Sequence, residues 1–185
     1  ELLVTNEYHD ACIYGHALEG NFHFIISQSF DSPEQVARYE KLMDEVKTLV
    51  VDKYDGSLKA EHGTGRNMAP FVKYEWGEKA YGFMKAVKEL FDPKGLLNPG
   101  VIFNEDPHCH LKHFKPMPLT NAHVDKCIEC GFCEVNCLTC GFSLSSRQRI
   151  VIQREISRLK KLSDTESSER LKTLQKQYKY LGNAT

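Results

Sequence analysis

Apolar and polar residues alternate at two places near the start of the chain. Residues 11–16 and 21–27 read as short strands, with Ala17-Leu18-Glu19-Gly20 as the glycine-containing connection of a hairpin. In the second strand Asn21, His23 and Ile25 share one face and Phe22, Phe24 and Ile26 the other, so the phenylalanine face is expected to be the core side. The period then changes to that of a helix. Val36, Tyr39, Leu42, Met43, Val46, Leu49 and Val50 follow Ser32-Pro33, where Ser32 is placed to cap and Pro33 fits the first turn. Asp55-Gly56 ends that helix. Leu58 to His62 reads as a further strand running into Gly63-Thr64-Gly65. Ala80, Phe83, Met84, Val87, Leu90 and Phe91 mark a second helix over about residues 74–91, closed by Asp92-Pro93-Lys94-Gly95.

From Asn104 to Pro118, prolines and histidines replace the apolar period, which predicts a linker. The expected division is a first domain over 1–107, a linker over 108–122 and a second domain over 123–185. In the second, Ser145-Ser146 is placed to cap a helix carrying Ile150, Val151, Ile156, Leu159 and Leu162. After a polar break from Ser163 to Ser168, another helix carries Leu171, Leu174, Tyr178 and Leu181.

Length and composition narrow this picture. A chain of 185 residues holds one medium domain plus a small appendage. Its formal charge of −1, with acids and bases mixed, singles out neither nucleic acid nor an anionic membrane as partner. No apolar run approaches the roughly 20 residues that span a bilayer. The first residues lack a signal peptide's basic start, and the chain opens without methionine, so it is expected to be a piece of something longer. Of seven cysteines, five fall between 127 and 140, poor spacing for disulfides and good spacing for metal, which favours a reducing cytoplasm.

Cys127-x2-Cys130-x2-Cys133-x3-Cys137 is the spacing of bacterial two-cluster ferredoxins, in which three thiolates hold one [4Fe–4S] cluster and the fourth serves the other. Leu138 stands where that pattern has proline, and Cys140 offers a substitute ligand. Structural zinc or free thiols remain the other reading. His16 and His23 flank the hairpin turn, and Glu61-His62 precedes glycines that allow close approach to the backbone. Two imidazoles and a carboxylate make a metal site with open positions, although each histidine taken singly reads as structural. His108, His110, His113 and His123, with Cys109, read as solvated linker residues, and Cys12 as a small buried side chain.

Gly15-His16 with Gly20-Asn21-Phe22-His23, then Glu61-His62-Gly63-Thr64-Gly65, then the segment Phe91 to Gly100 resemble the C-terminal domain of FAD-linked oxidases of the vanillyl-alcohol oxidase superfamily. With the cysteine run followed by Ser146-Arg147-Gln148-Arg149-Ile150-Val151, the chain resembles the bacterial D-lactate dehydrogenase-like branch that fuses a flavin domain to a ferredoxin domain. The resemblance implies an FAD-binding domain upstream and a second cysteine run downstream. It implies a divalent metal, usually zinc, at His16, His23 and Glu61, and a substrate-contacting base at His62. It implies further that the segment around Asn98 packs against the flavin domain, where a plain turn is the other reading. Ile25 stands where relatives that oxidise 2-hydroxyglutarate carry asparagine, which favours a shorter acid such as D-lactate.

The function these readings predict is oxidation of a D-2-hydroxy acid, with electrons passing from FAD through 4Fe-4S clusters to a quinone or carrier protein, in the cytoplasm or at the inner face of the membrane. The rival is a non-catalytic electron-transfer or scaffold subunit. The expected fold is α+β: an antiparallel sheet with helices on one face, then a small, mainly helical, ferredoxin-like segment.

Overall fold

The computed structural model describes residues 1–60, 62–63, 65–115 and 117–180. The fold is α+β. The chain forms two compact units, residues 1–115 and 116–185.

In the first unit a short helix, α1 (Leu2–Thr5), precedes strands β1 (Cys12–His16) and β2 (Asn21–Ile25), which pair antiparallel. The register sets Cys12 opposite Ile25, Tyr14 opposite His23 and His16 opposite Asn21. Residues opposed across an antiparallel pair point to one face. Cys12, Tyr14, His16, Asn21, His23 and Ile25 therefore share a side, and Ile13, Phe22 and Phe24 share the other. Two glycines permit the tight connection. Gly20 closes the 3-10 turn Ala17–Glu19 in the left-handed region at φ 63°. At Gly15 a Cβ would come within 2.0 Å of the Asn21 carbonyl oxygen, so only glycine lets the strands approach there.

The phenylalanine face is less closed than its pattern predicts. Ile13, Phe22 and Phe24 front an apolar cavity of about 770 Å³ whose other walls include Leu3, Val46, Leu49, Val50 and Leu58. Phe22 remains 66% exposed, because none of these neighbours packs fully against it. Cys12 is exposed rather than buried, since every residue of β1 is open to solvent.

Helix α2 (Pro33–Lys47) begins as its sequence requires: the Ser32 hydroxyl accepts from the Gln35 N–H at 3.4 Å, and Pro33 occupies the first turn. It widens into a π-helical stretch, Thr48–Lys53, before Asp55 turns the chain at φ 49°. The strand expected at Leu58 to His62 does not form. Leu58 to Ala60 make a turn, with Ala60 at φ 46°, a conformation incompatible with a strand, and the Leu58 N–H donates to Glu75 rather than to a neighbouring strand. Helix α3 (Ala69–Phe91) starts five residues earlier than the apolar period indicates, with Pro70 in its first turn, and is kinked at Gly77, φ 72°. The core of this unit gathers Tyr8, Leu42, Met43, Ala69, Phe71, Val72, Cys109 and His110. Cys109 and His110 thus pack inward instead of lying on a solvated linker: the His110 ring meets Phe71 at 5.1 Å and the Cys109 thiol donates to the Arg66 carbonyl.

The second unit is helical. Short 3-10 turns at Val124–Lys126 and Glu134–Asn136 carry the cysteine run, followed by α4 (Ser146–Leu159) and α5 (Thr165–Gln177). Ser145 caps α4 in a reciprocal box with Gln148, and Asp164 caps α5. Leu181, expected on α5, lies outside the described residues. No described helix is long and apolar enough to cross a membrane.

Candidate functional site

The hairpin register assembles the first site. His16 and His23 lie on one face at diagonal positions, a spacing that imidazoles bridge. Their ring centroids are 6.3 Å apart and nearly perpendicular. His62, carried on the turn after Ala60, stacks on His23 at 4.5 Å, and Tyr14 stacks on His23 at 5.2 Å. Tyr14, which sequence reasoning passed over, thereby fixes the plane of the central imidazole. Its signal was available in the pairing, since it stands opposite His23 on the strand that carries His16. On this same face the Asn21 side-chain oxygen is buried without a hydrogen-bond partner among the described residues.

The fold thus brings together three of the four predicted site residues, and Glu61 lies outside the described residues. Imidazoles beside an orphaned oxygen suit a divalent metal in kind. Among the described residues, however, no group of three or more histidine, cysteine, aspartate or glutamate side chains is placed to hold an ion.

Asn98 sits on the exposed segment after α3 at φ 44°, a left-handed conformation that asparagine tolerates. Asp92 holds this segment in place. Its carboxylate accepts from the Lys88 ammonium at 2.5 Å and from the Leu96 and Leu97 N–H groups at 2.9 and 2.8 Å. Lys88 first, then those amides, lower its pKa to about 2.

Of the cysteines in the second unit, Cys127 and Cys137 are half-buried, while Cys130, Cys133 and Cys140 are exposed. Among the described residues, no three of them are gathered to hold one ion. It does prepare Cys137: the Thr139 hydroxyl first, then the Ser146 and Thr139 N–H groups, lower its thiol pKa to about 6, so the thiolate predominates at neutral pH. Cys127 is anchored differently. Arg154 donates to the Cys127 and Val124 carbonyls at 2.7 and 3.3 Å and pairs with Glu129 at 2.6 Å, both side chains being 4% exposed. The sequence gives little signal for this pair, since Arg154 is one of several charged residues on α4 and Glu129 lies 25 residues earlier. Glu129 holds a left-handed turn between Cys127 and Cys130 at φ 60°.

The first unit is thus an α+β domain whose hairpin presents clustered imidazoles on one face. Residues 1–102 match the family of FAD linked oxidases, C-terminal domain, and the chain belongs to that family. The glycolate oxidase subunit GlcD of Bacillus subtilis is 32% identical over 95 residues, 51% of this chain and 20% of that protein. D-2-hydroxyglutarate dehydrogenase of Stutzerimonas stutzeri is 36% identical over 107 residues, 56% of this chain and 23% of that protein. A mitochondrial cytochrome-type D-lactate dehydrogenase of Saccharomyces cerevisiae is 33% identical over 96 residues, covering 52% and 16%. The matched stretch is thus about a fifth of the length of these relatives. No solved structure matches the chain.

Proposed function

We propose that this chain supplies the substrate-side domain of an FAD-dependent dehydrogenase that oxidises a D-2-hydroxy acid, with D-lactate as the foremost candidate. The observation that carries the reading is the stack of His62 on His23 beside His16, formed by a domain whose family is FAD-linked. The relatives named for glycolate, D-lactate and D-2-hydroxyglutarate support the substrate class. Ile25, two residues beyond His23 on the same face, places an apolar side chain beside the imidazoles and favours the shorter acid.

His62 is the base in this reading, taking the substrate hydroxyl proton. His23 keeps its ring in register from beneath, and Tyr14 backs His23 in turn. His16, His23 and Glu61 are the ligands for a divalent metal, zinc being the family's usual one. A flavin carried by a domain of the same protein, against which the Asn98 segment would pack, would supply the hydride acceptor, and a metal held by His16, His23 and Glu61 would polarise the hydroxyl.

Spacing and the low pKa of Cys137 support an iron–sulfur role for the second unit, with Cys127, Cys130 and Cys133 as ligands to one 4Fe-4S cluster and Cys137 lent to another. A quinone or carrier protein in the cytoplasm or at the membrane face is the corresponding acceptor. The test is a panel of D- and L-2-hydroxy acids mixed anaerobically with the flavin-containing holoenzyme, with iron, acid-labile sulfide and zinc measured on the same preparation. Flavin bleaching by D-acids, together with iron and sulfide, is expected. Bleaching by none of the acids would remove the dehydrogenase reading, and zinc without iron or sulfide would remove the cluster.

A further inference from the structure

A second cavity in the first unit, about 430 Å³, shares no lining residue with the imidazole cluster. Its aromatic wall is the Phe30 and Phe114 rings, stacked at 3.9 Å, with Tyr39 edge-on to both at 5.3 and 6.2 Å. Its lining carries the cations Arg66, Lys112 and Lys115 and, among the described residues, no carboxylate. Lys112 is engaged by Asp106 at 2.6 Å, whereas Arg66 makes no ion pair among the described residues.

His110 also lines the cavity. This residue is 6% exposed, and its Nδ1 is buried with no hydrogen-bond partner among the described residues. Burial is the main influence on the ring and holds it below the ordinary histidine pKa, against an opposing pull from Glu40 and Asp44, so the imidazole is neutral at pH 7. A buried polar nitrogen left unpaired in a native fold is destabilising and requires an explanation. Mere packing does not supply one, because phenylalanine would fill the same place against Phe71 and Tyr39 without that penalty.

We infer that this pocket binds a small organic anion, a carboxylate on a flat apolar body, with the carboxylate meeting the Arg66 guanidinium and His110 Nδ1 and the body lying on the Phe30–Phe114 wall. Guanidinium recognises the planar, two-oxygen head group, and a neutral imidazole protonated on Nδ1 contributes one further donor without adding charge. The aromatic wall distinguishes such a ligand from a bare inorganic anion, which gains nothing from apolar contact.

The experiment titrates the 185-residue chain with benzoate, with the neutral isostere benzamide and with inorganic phosphate, following the His110 ring nitrogens by NMR. Benzoate is expected to shift the His110 Nδ1 resonance saturably, and benzamide and phosphate to leave it in place. The exposed Arg66→Gln change is expected to weaken benzoate about tenfold or more, as loss of one charge-assisted hydrogen bond requires. His110→Phe, which keeps the packing volume, is expected to weaken binding while preserving the fold by circular dichroism. An unmoved His110 resonance at saturating benzoate, equal binding by Arg66→Gln, or phosphate binding in preference to benzoate would each overturn the inference.

Discussion

Asp92 shows how one side chain governs a segment with a function proposed for it. Its carboxylate ties the Leu96 and Leu97 amides and the Lys88 ammonium together, which sets the path of the chain into Asn98. The folded state holds this group near pKa 2, below its ordinary 3.8, so its stabilising effect is present above pH 3.8 and is lost as pH falls toward 2. We expect the Leu96 and Leu97 amide resonances to titrate with a midpoint near pH 2. Asp92→Asn should lower Tm at pH 7, with the difference from wild type shrinking as pH approaches 2. At this same scale, the clustered histidines were legible because strand geometry converts sequence spacing directly into a shared face. The Arg154–Glu129 pair was not, because a buried ion pair joins residues 25 apart through packing that no local pattern encodes. Arg154→Met is expected to cost about 3–5 kcal/mol in denaturant unfolding, because Glu129 stays behind as a buried charge that has lost its guanidinium partner. The double change with Glu129→Gln should recover a substantial part of that loss.

Among the elements, those with their own start and stop signals emerged where the sequence indicated. The Ser32-Pro33 and Ser145 helices are examples, and the hairpin kept its connection because Gly20 supplies the left-handed turn. The expected strand at Leu58 failed where local alternation was overruled by a left-handed Ala60 and by Glu75 capturing the Leu58 amide. Helix α3 began at Ala69 because Pro70 is a start signal that outranks apolar periodicity, while Gly77 absorbs the kink. Capping matters most at α4, since the fully buried Ser145 accepts the Gln148 N–H and also donates to Glu134 at 2.5 Å. Ser145→Ala is therefore expected to cost about 1–2 kcal/mol, the upper part of the range for lost caps, in urea unfolding. It should also raise the Glu134 pKa, which the Ser145 hydroxyl is the first to depress, with Arg147 second.

For the molecule as a whole, the two units carry different chemistry. The first presents ordered imidazoles, and the second presents a cysteine loop held by Arg154 with a thiolate at Cys137. Large apolar side chains remain open on both, among them Phe83, Leu90 and Phe91 on α3 and Phe132, Leu138 and Phe142 on the cysteine loop. His62 as base is the central proposal. Its most direct test is the anaerobic single-turnover reduction of the flavin in the holoenzyme by D-lactate, compared between wild type and His62→Asn. We predict reduction slowed about 10²–10⁴-fold, the usual share of a general base, with substrate affinity changed far less. Reduction at the wild-type rate would contradict the account and assign the chain to electron relay instead.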